Sequence, residues 1–167
     1  MRLIDPLLME FDRESATTRK LLERLPAERL SWKPHEKSMA LGALGHHLAT
    51  IPAMISGHVL ADGLDFAALG EMPKAPETVE GILAEFDGAV KGAKQALAQL
   101  DDARAMGAWT LRKGETVFMQ VPRIGFVRSI LLNHSIHHRG QLSVYLRLLD
   151  VPLPPVYGPS ADENPFG

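Results

Sequence analysis

Apolar residues recur along this chain mostly at helical spacing, and the four longest runs predict four helices. The first follows Asp5-Pro6, a favourable start with Asp as N-cap and Pro at the first helical position. Leu7, Leu8, Phe11, Thr18, Leu21, Leu22 and Leu25 share its face until Pro26 ends the run. A polar connector with Trp32, Pro34 and His35 leads to a second helix from about Met39 to Leu60, with Ser38 as its cap. Its apolar positions are Leu41, Leu44, Leu48, Ile51, Ile55 and Val59, and Pro52 within them is expected to kink or interrupt it, having no backbone donor. A Gly- and Pro-rich loop is expected from Asp62 to Pro76. The third helix runs from about Glu77 to Leu100 on Val79, Ile82, Leu83, Phe86, Val90, Ala93 and Leu97. The period then changes. Trp109-Thr110-Leu111 and Thr116-Val117-Phe118-Met119 flank Arg112-Lys113-Gly114-Glu115, which predicts a small hairpin. A fourth helix spans about Pro122 to Leu149, and residues 150–167, with five prolines, form an extended tail. The fold class expected is all-α: one domain over residues 1–167, an up-down-type four-helix bundle with a hairpin before the last helix.

Composition narrows the function classes. The 167 residues suit one domain, and 46% hydrophobic residues suffice for its core. Lysine and arginine are scattered and the formal net charge is -2, so no basic face for nucleic acid is expected. No run reaches the ~20 apolar residues of a membrane span. Charges and Pro6 interrupt the first twenty residues, which leaves no signal-peptide core and predicts a cytoplasmic protein. Cysteine is absent. Disulfides and thiolate sites are thereby excluded, and any bound metal must take imidazole or carboxylate ligands.

The histidines carry the candidate chemistry. His134 and His138 stand four residues apart, so a helix presents both imidazoles to one point. A third ligand must come from another element, and the second helix offers His46 and His47. His47 shares its face with Leu44, Ile51 and Met54, the inward stripe. His46 shares its face with Gly42, Ala43, Thr50 and Ala53, small residues suited to packing against a neighbouring helix. His47 is therefore the favoured ligand. His137 is an alternative to His138, which is preferred because Gln141 and Tyr145 continue its face. The competing reading is a cluster of buried neutral imidazoles without metal, in which every ring nitrogen needs a partner. Arg139 either holds an anionic substrate or pairs with an acidic neighbour. Trp32 and Trp109 read as packing residues, His35 and His58 as surface or rim residues, and Asp162 and Glu163 as surface charges or groups near the site. No serine has a nucleophile's surroundings.

At these residues the chain resembles the DinB-like (YfiT-like) family of metalloenzymes. The resemblance lies in Trp32-Lys33-Pro34, in His47-Leu48-Ala49, and in Asn133-His134 followed by His138-Arg139-Gly140-Gln141. Leu146-Arg147, Val151-Pro152 and Tyr157-Gly158-Pro159-Ser160-Ala161-Asp162-Glu163 extend it over nearly the whole chain. It implies a four-helix bundle, commonly a homodimer, with one divalent ion, zinc or nickel, on His47, His134 and His138. Arg139, Gln141 and Tyr145 then border a small-molecule or cofactor site. Some relatives are thiol S-transferases that use a low-molecular-weight thiol.

Three protein ligands leave a coordination position open, the mark of a catalytic rather than a structural site. The function expected is a metal-dependent enzyme of thiol S-transferase or hydrolase type. The alternative is a non-catalytic metal-binding or structural dimeric helical bundle.

Overall fold

The computed structural model describes residues 1–70 and 75–166. Residues 71–74, within the expected Gly- and Pro-rich loop, and Gly167, at the end of the expected tail, lie outside the described residues. The first three long helices are α1 (Asp5–Leu22), α2 (Leu41–His58) and α3 (Val79–Leu97). A short α4 (Asp102–Met106) precedes the strands. The fourth rod is continuous but not uniform: α5 (Arg123–Phe126), a π-helical stretch Val127–His134, and α6 (Ser135–Leu148) follow without a break. The molecule is thus mostly helical, with a small three-stranded sheet.

The starts of α1 and α2 depart from the expected ones, and neither carries a side-chain cap. Ile4, not Asp5, is the N-cap of α1; Asp5 lies in the first turn and accepts the Arg2 backbone N–H at 2.7 Å. Ser38 does not cap α2, which begins after Ala40 with no side-chain cap. Thr78 caps α3, its hydroxyl accepting the Gly81 N–H at 3.1 Å. Pro52 is accommodated within a continuous α2 and is buried.

α1 lies alongside α3 and the last rod, and so does α2. Consecutive α1 and α2 are not among the side-by-side pairs, as simple up-down order would make them. Two clusters fill the interior. One gathers Trp109, stacked on Phe126 at 3.6 Å between ring centres, with Ile4, Phe11, Ile55, Leu97, Leu131 and Leu132. The other gathers Leu21, Leu22, Leu41, Leu44, Leu48, Ile51, Ile82, Phe86, Leu142 and Leu146. Along the last rod His134 and His138 fall between Leu132 of one cluster and Leu142 of the other, while His47 on α2 lies between Leu44 and Leu48 of the second cluster.

The π-helical stretch, whose turns are wider than those of an α-helix, buries Val127, Leu131 and Leu132.

The hairpin forms as expected, β2 (Ala108–Lys113) against β3 (Thr116–Pro122), with Gly114 at φ +58° in the turn. A third strand was not expected. β1 (Gly63–Asp65), inside the stretch read as loop, pairs in parallel with β2. Gly63 permits it: a Cβ there would lie 2.2 Å from the Thr110 carbonyl oxygen. Asp65 then joins the sheet to its turn, accepting the Gly114 and Ala67 N–H groups, both at 2.9 Å.

Among the described residues the tail carries no helix or strand from Val151 to Phe166, and it is pinned by side chains. Asp162 pairs with Arg147 and accepts the Leu153 N–H at 2.9 Å, and Glu163 meets Arg24 at 2.6 Å. No helix among the described residues is long and apolar enough to cross a membrane.

Candidate metal centre

α2 supplies His47 from the edge of its buried stripe, between Leu44, Leu48 and Ile51. The last rod supplies His134 at the end of the π stretch and His138 one α turn later. Each of the three rings has an atom able to ligate a metal, and these atoms all lie within 4.8 Å of one another. The His47 and His134 Nε2 atoms are 2.9 Å apart. Ring centres stand 4.4 Å apart for His47 and His138 and 4.5 Å for His134 and His138.

Burial pushes the His47 pKa down from 6.5 to about 4, with the His138, His134 and His46 rings adding to the effect. Burial lowers His134 too, reinforced by His138 and His137. His138 is also lowered by burial, with the Gln141 hydrogen bond opposing and His137 reinforcing. The cause is shared: three rings gathered in a half-buried place resist becoming three cations. Near neutral pH the cluster is therefore a set of free imidazole lone pairs.

Such a donor set fits a divalent ion. Two imidazole nitrogens bound at about 2.1 Å to one ion stand about 3.0 Å apart at an octahedral angle and about 3.4 Å at a tetrahedral one. The 2.9 Å His47–His134 separation is near that of shared ligation. Without an ion, one of those two nitrogens must give a proton to the other, and the arrangement satisfies only that pair. Imidazole ligands suit zinc, nickel, copper and iron alike.

The neighbouring histidines face elsewhere. His46 Nε2 lies 3.1 Å from Glu85 Oε2 on α3, in keeping with its small-residue packing face. His137 is exposed, its ring centre 4.9 Å from that of His138. His35 is exposed and accepts the Lys37 N–H, and the His58 carbonyl accepts the Trp109 indole N–H at 3.1 Å.

The other expected site residues spread over different surroundings. Gln141 stays with the cluster: its Oε1 lies 2.7 Å from His138 Nδ1. Tyr145, further along α6, meets Trp32 edge-on with ring centres 5.8 Å apart. Arg139 is only 2% exposed and is directed at α1 and the tail. Its guanidinium meets Glu14 Oε2 at 2.6 Å and donates to the Glu14 carbonyl at 3.1 Å and to Tyr157 Oη at 2.6 Å. Of the two roles read for Arg139, these contacts match the pairing with an acidic neighbour. Glu14 escaped the reading, although a signal existed. It lies on the α1 face that carries Phe11, Thr18 and Leu21, where a carboxylate needs a cation.

Comparisons with known proteins agree with this architecture. The sequence pattern of the DinB superfamily matches residues 10–142. The chain is 27% identical over 161 residues to the uncharacterized protein YrdA of Bacillus subtilis (strain 168), covering 96% of this chain and 91% of that one. The fold is similar to the crystal structure of a DinB-like protein from Bacillus cereus ATCC 10987, with TM-score 0.69, 23% identity, and 90% and 95% of the two chains covered. It is also similar to that of a DinB-like protein, YjoA, from Bacillus subtilis, with TM-score 0.72, 19% identity, and 92% and 98% covered.

Proposed function

The chain belongs to the DinB superfamily, and from that premise we propose that it binds one divalent metal ion, zinc or nickel, on His47, His134 and His138 and uses it in catalysis. The convergence of three imidazole donors from two helices carries this reading. We read the four long helices as a four-helix bundle with a small sheet beside it, and the protein as a cytoplasmic homodimer acting on a small molecule.

When bound, such an ion polarises an electrophile and lowers the pKa of a coordinated water or thiol, giving a nucleophile near neutral pH. The chain's own residues prepare the place. The three imidazoles are neutral in the working pH range and add no charge, so an anionic ligand is favoured at the remaining position. Tyr145, further along α6, packs edge-on against Trp32 of the connector before α2. With no cysteine in the chain, an S-transfer would use a low-molecular-weight thiol, and hydrolysis would use water. Thiol S-transfer or hydrolysis is the reaction class proposed.

Cobalt-substituted protein tests the open position. Adding a small thiol is expected to bring up a sulfur-to-metal charge-transfer band that is missing from a His138→Ala variant. A spectrum unmoved by thiol, azide and hydroxide alike would mean the ion is closed off and structural, and would overturn the catalytic reading.

A further inference from the structure

Gln141 makes one side-chain contact that bears on ligation, the 2.7 Å approach of its Oε1 to His138 Nδ1. A neutral imidazole has one N–H and one lone pair, and whatever fixes one nitrogen decides the state of the other. The amide oxygen can only accept, so the proton it meets resides on Nδ1 and leaves the His138 Nε2 with its lone pair. The reverse amide orientation would place an N–H against Nδ1 and the ring proton on Nε2, where it would block ligation.

His47 and His134 meet through their Nε2 atoms at 2.9 Å. With Nδ1 of His138 committed to Gln141, Nε2 is the nitrogen left for the third ligand. We propose that Gln141 is a positioning residue that holds His138 in the Nδ1–H tautomer and so presents its Nε2 for metal binding. This rests on the metal-binding reading above and goes beyond it by giving Gln141 a role that does not involve substrate or cofactor contact.

The helix makes the contact available. Gln141 lies three residues after His138, so both are on one face of α6. Gln141 is also exposed, so its replacement removes no core packing. An orienting partner of this kind typically accounts for ~10- to 100-fold in metal affinity.

The test uses full-length wild type with Gln141→Leu, Gln141→Glu and His134→Ala, folding being checked by circular dichroism. Zinc affinity is measured by chelator competition, and the His138 tautomer is read from nitrogen-15 NMR of the zinc-loaded and metal-free proteins. Wild type should bind one zinc and show protonated Nδ1 on His138. Gln141→Leu should bind ~10- to 100-fold more weakly, with a mixed tautomer in the metal-free form. Gln141→Glu keeps an acceptor and should restore affinity to wild type or better. Unchanged affinity and tautomer in Gln141→Leu would overturn the proposal while leaving the metal site standing. Wild type that binds no better than His134→Ala would instead sink the metal reading, and this proposal with it.

Discussion

Arg139→Ala would leave the Glu14 carboxylate facing α6 without its cation, in a place where water cannot fully replace it. The guanidinium is 2% exposed and Glu14 14% exposed at the side chain, so solvent screening is weak. Removing one partner of such a pair costs about 3 kcal/mol or more, because the remaining charge stays buried. Urea unfolding should show that loss, and a loss below about 1 kcal/mol, in the range of an exposed pair, would contradict the buried-pair account. The histidines give a second prediction at this scale. In the metal-free protein the folded state holds His47 at about 4, below its ordinary 6.5, and shifts His134 and His138 the same way. Between those values the unfolded chain binds more protons than the folded one, so stability falls as pH drops from 6.5 toward about 4. The carboxyls of Asp5, Asp65 and Asp162 are held below their usual 3.8, so their contributions are lost only on further acidification. Urea midpoints of chelator-treated protein should decline through the first window, and midpoints that rise there would contradict the account. The register of the histidines was legible because His47 sits beside an apolar stripe and His46 beside small residues. The direction of Arg139 was not, since its partner Glu14 comes from a helix more than a hundred residues away.

β1 shows why short elements escape a reading of periodicity. Three residues carry no alternation to detect, and the strand exists because Gly63 lets two backbones approach where a Cβ would meet the Thr110 oxygen at 2.2 Å. Gly63→Ala should therefore separate β1 from β2 and cost about 2 kcal/mol, as overpacking does. Thermal unfolding measures it, and an unchanged midpoint would mean that the pairing contributes nothing to stability. The four long helices were legible because each repeats its apolar residues over many turns. Inside the last of them, Val127–His134 is π-helical, and its buried Val127 and Leu131 are four apart, a spacing that an α-helix shares. The cap of α1 was misread for a local reason. Asp5 lies inside the first turn and is engaged by Arg2, leaving Ile4 at the boundary.

For the whole molecule, the proposed ion ties α2 to the last rod. A ligand that binds only the folded state adds stability in proportion to its affinity, about 2.7 kcal/mol at a hundred times its Kd. Excess zinc or nickel should raise the Tm of wild type and leave that of His47→Ala in place, and equal shifts in both would point to binding elsewhere. The tail is held through Tyr157 on Glu14 of α1, Asp162 on Arg147 of α6, and Glu163 on Arg24 just after α1. Its lack of helix or strand among the described residues accords with its prolines, whereas those anchors depend on which residues the fold brings near. The central claim, an ion held by three histidines, is tested most directly by elemental analysis of protein purified without a histidine tag, beside His134→Ala. The account predicts close to one divalent ion per chain in wild type and none in the variant. No metal in either, even after incubation with excess zinc and nickel, would contradict it.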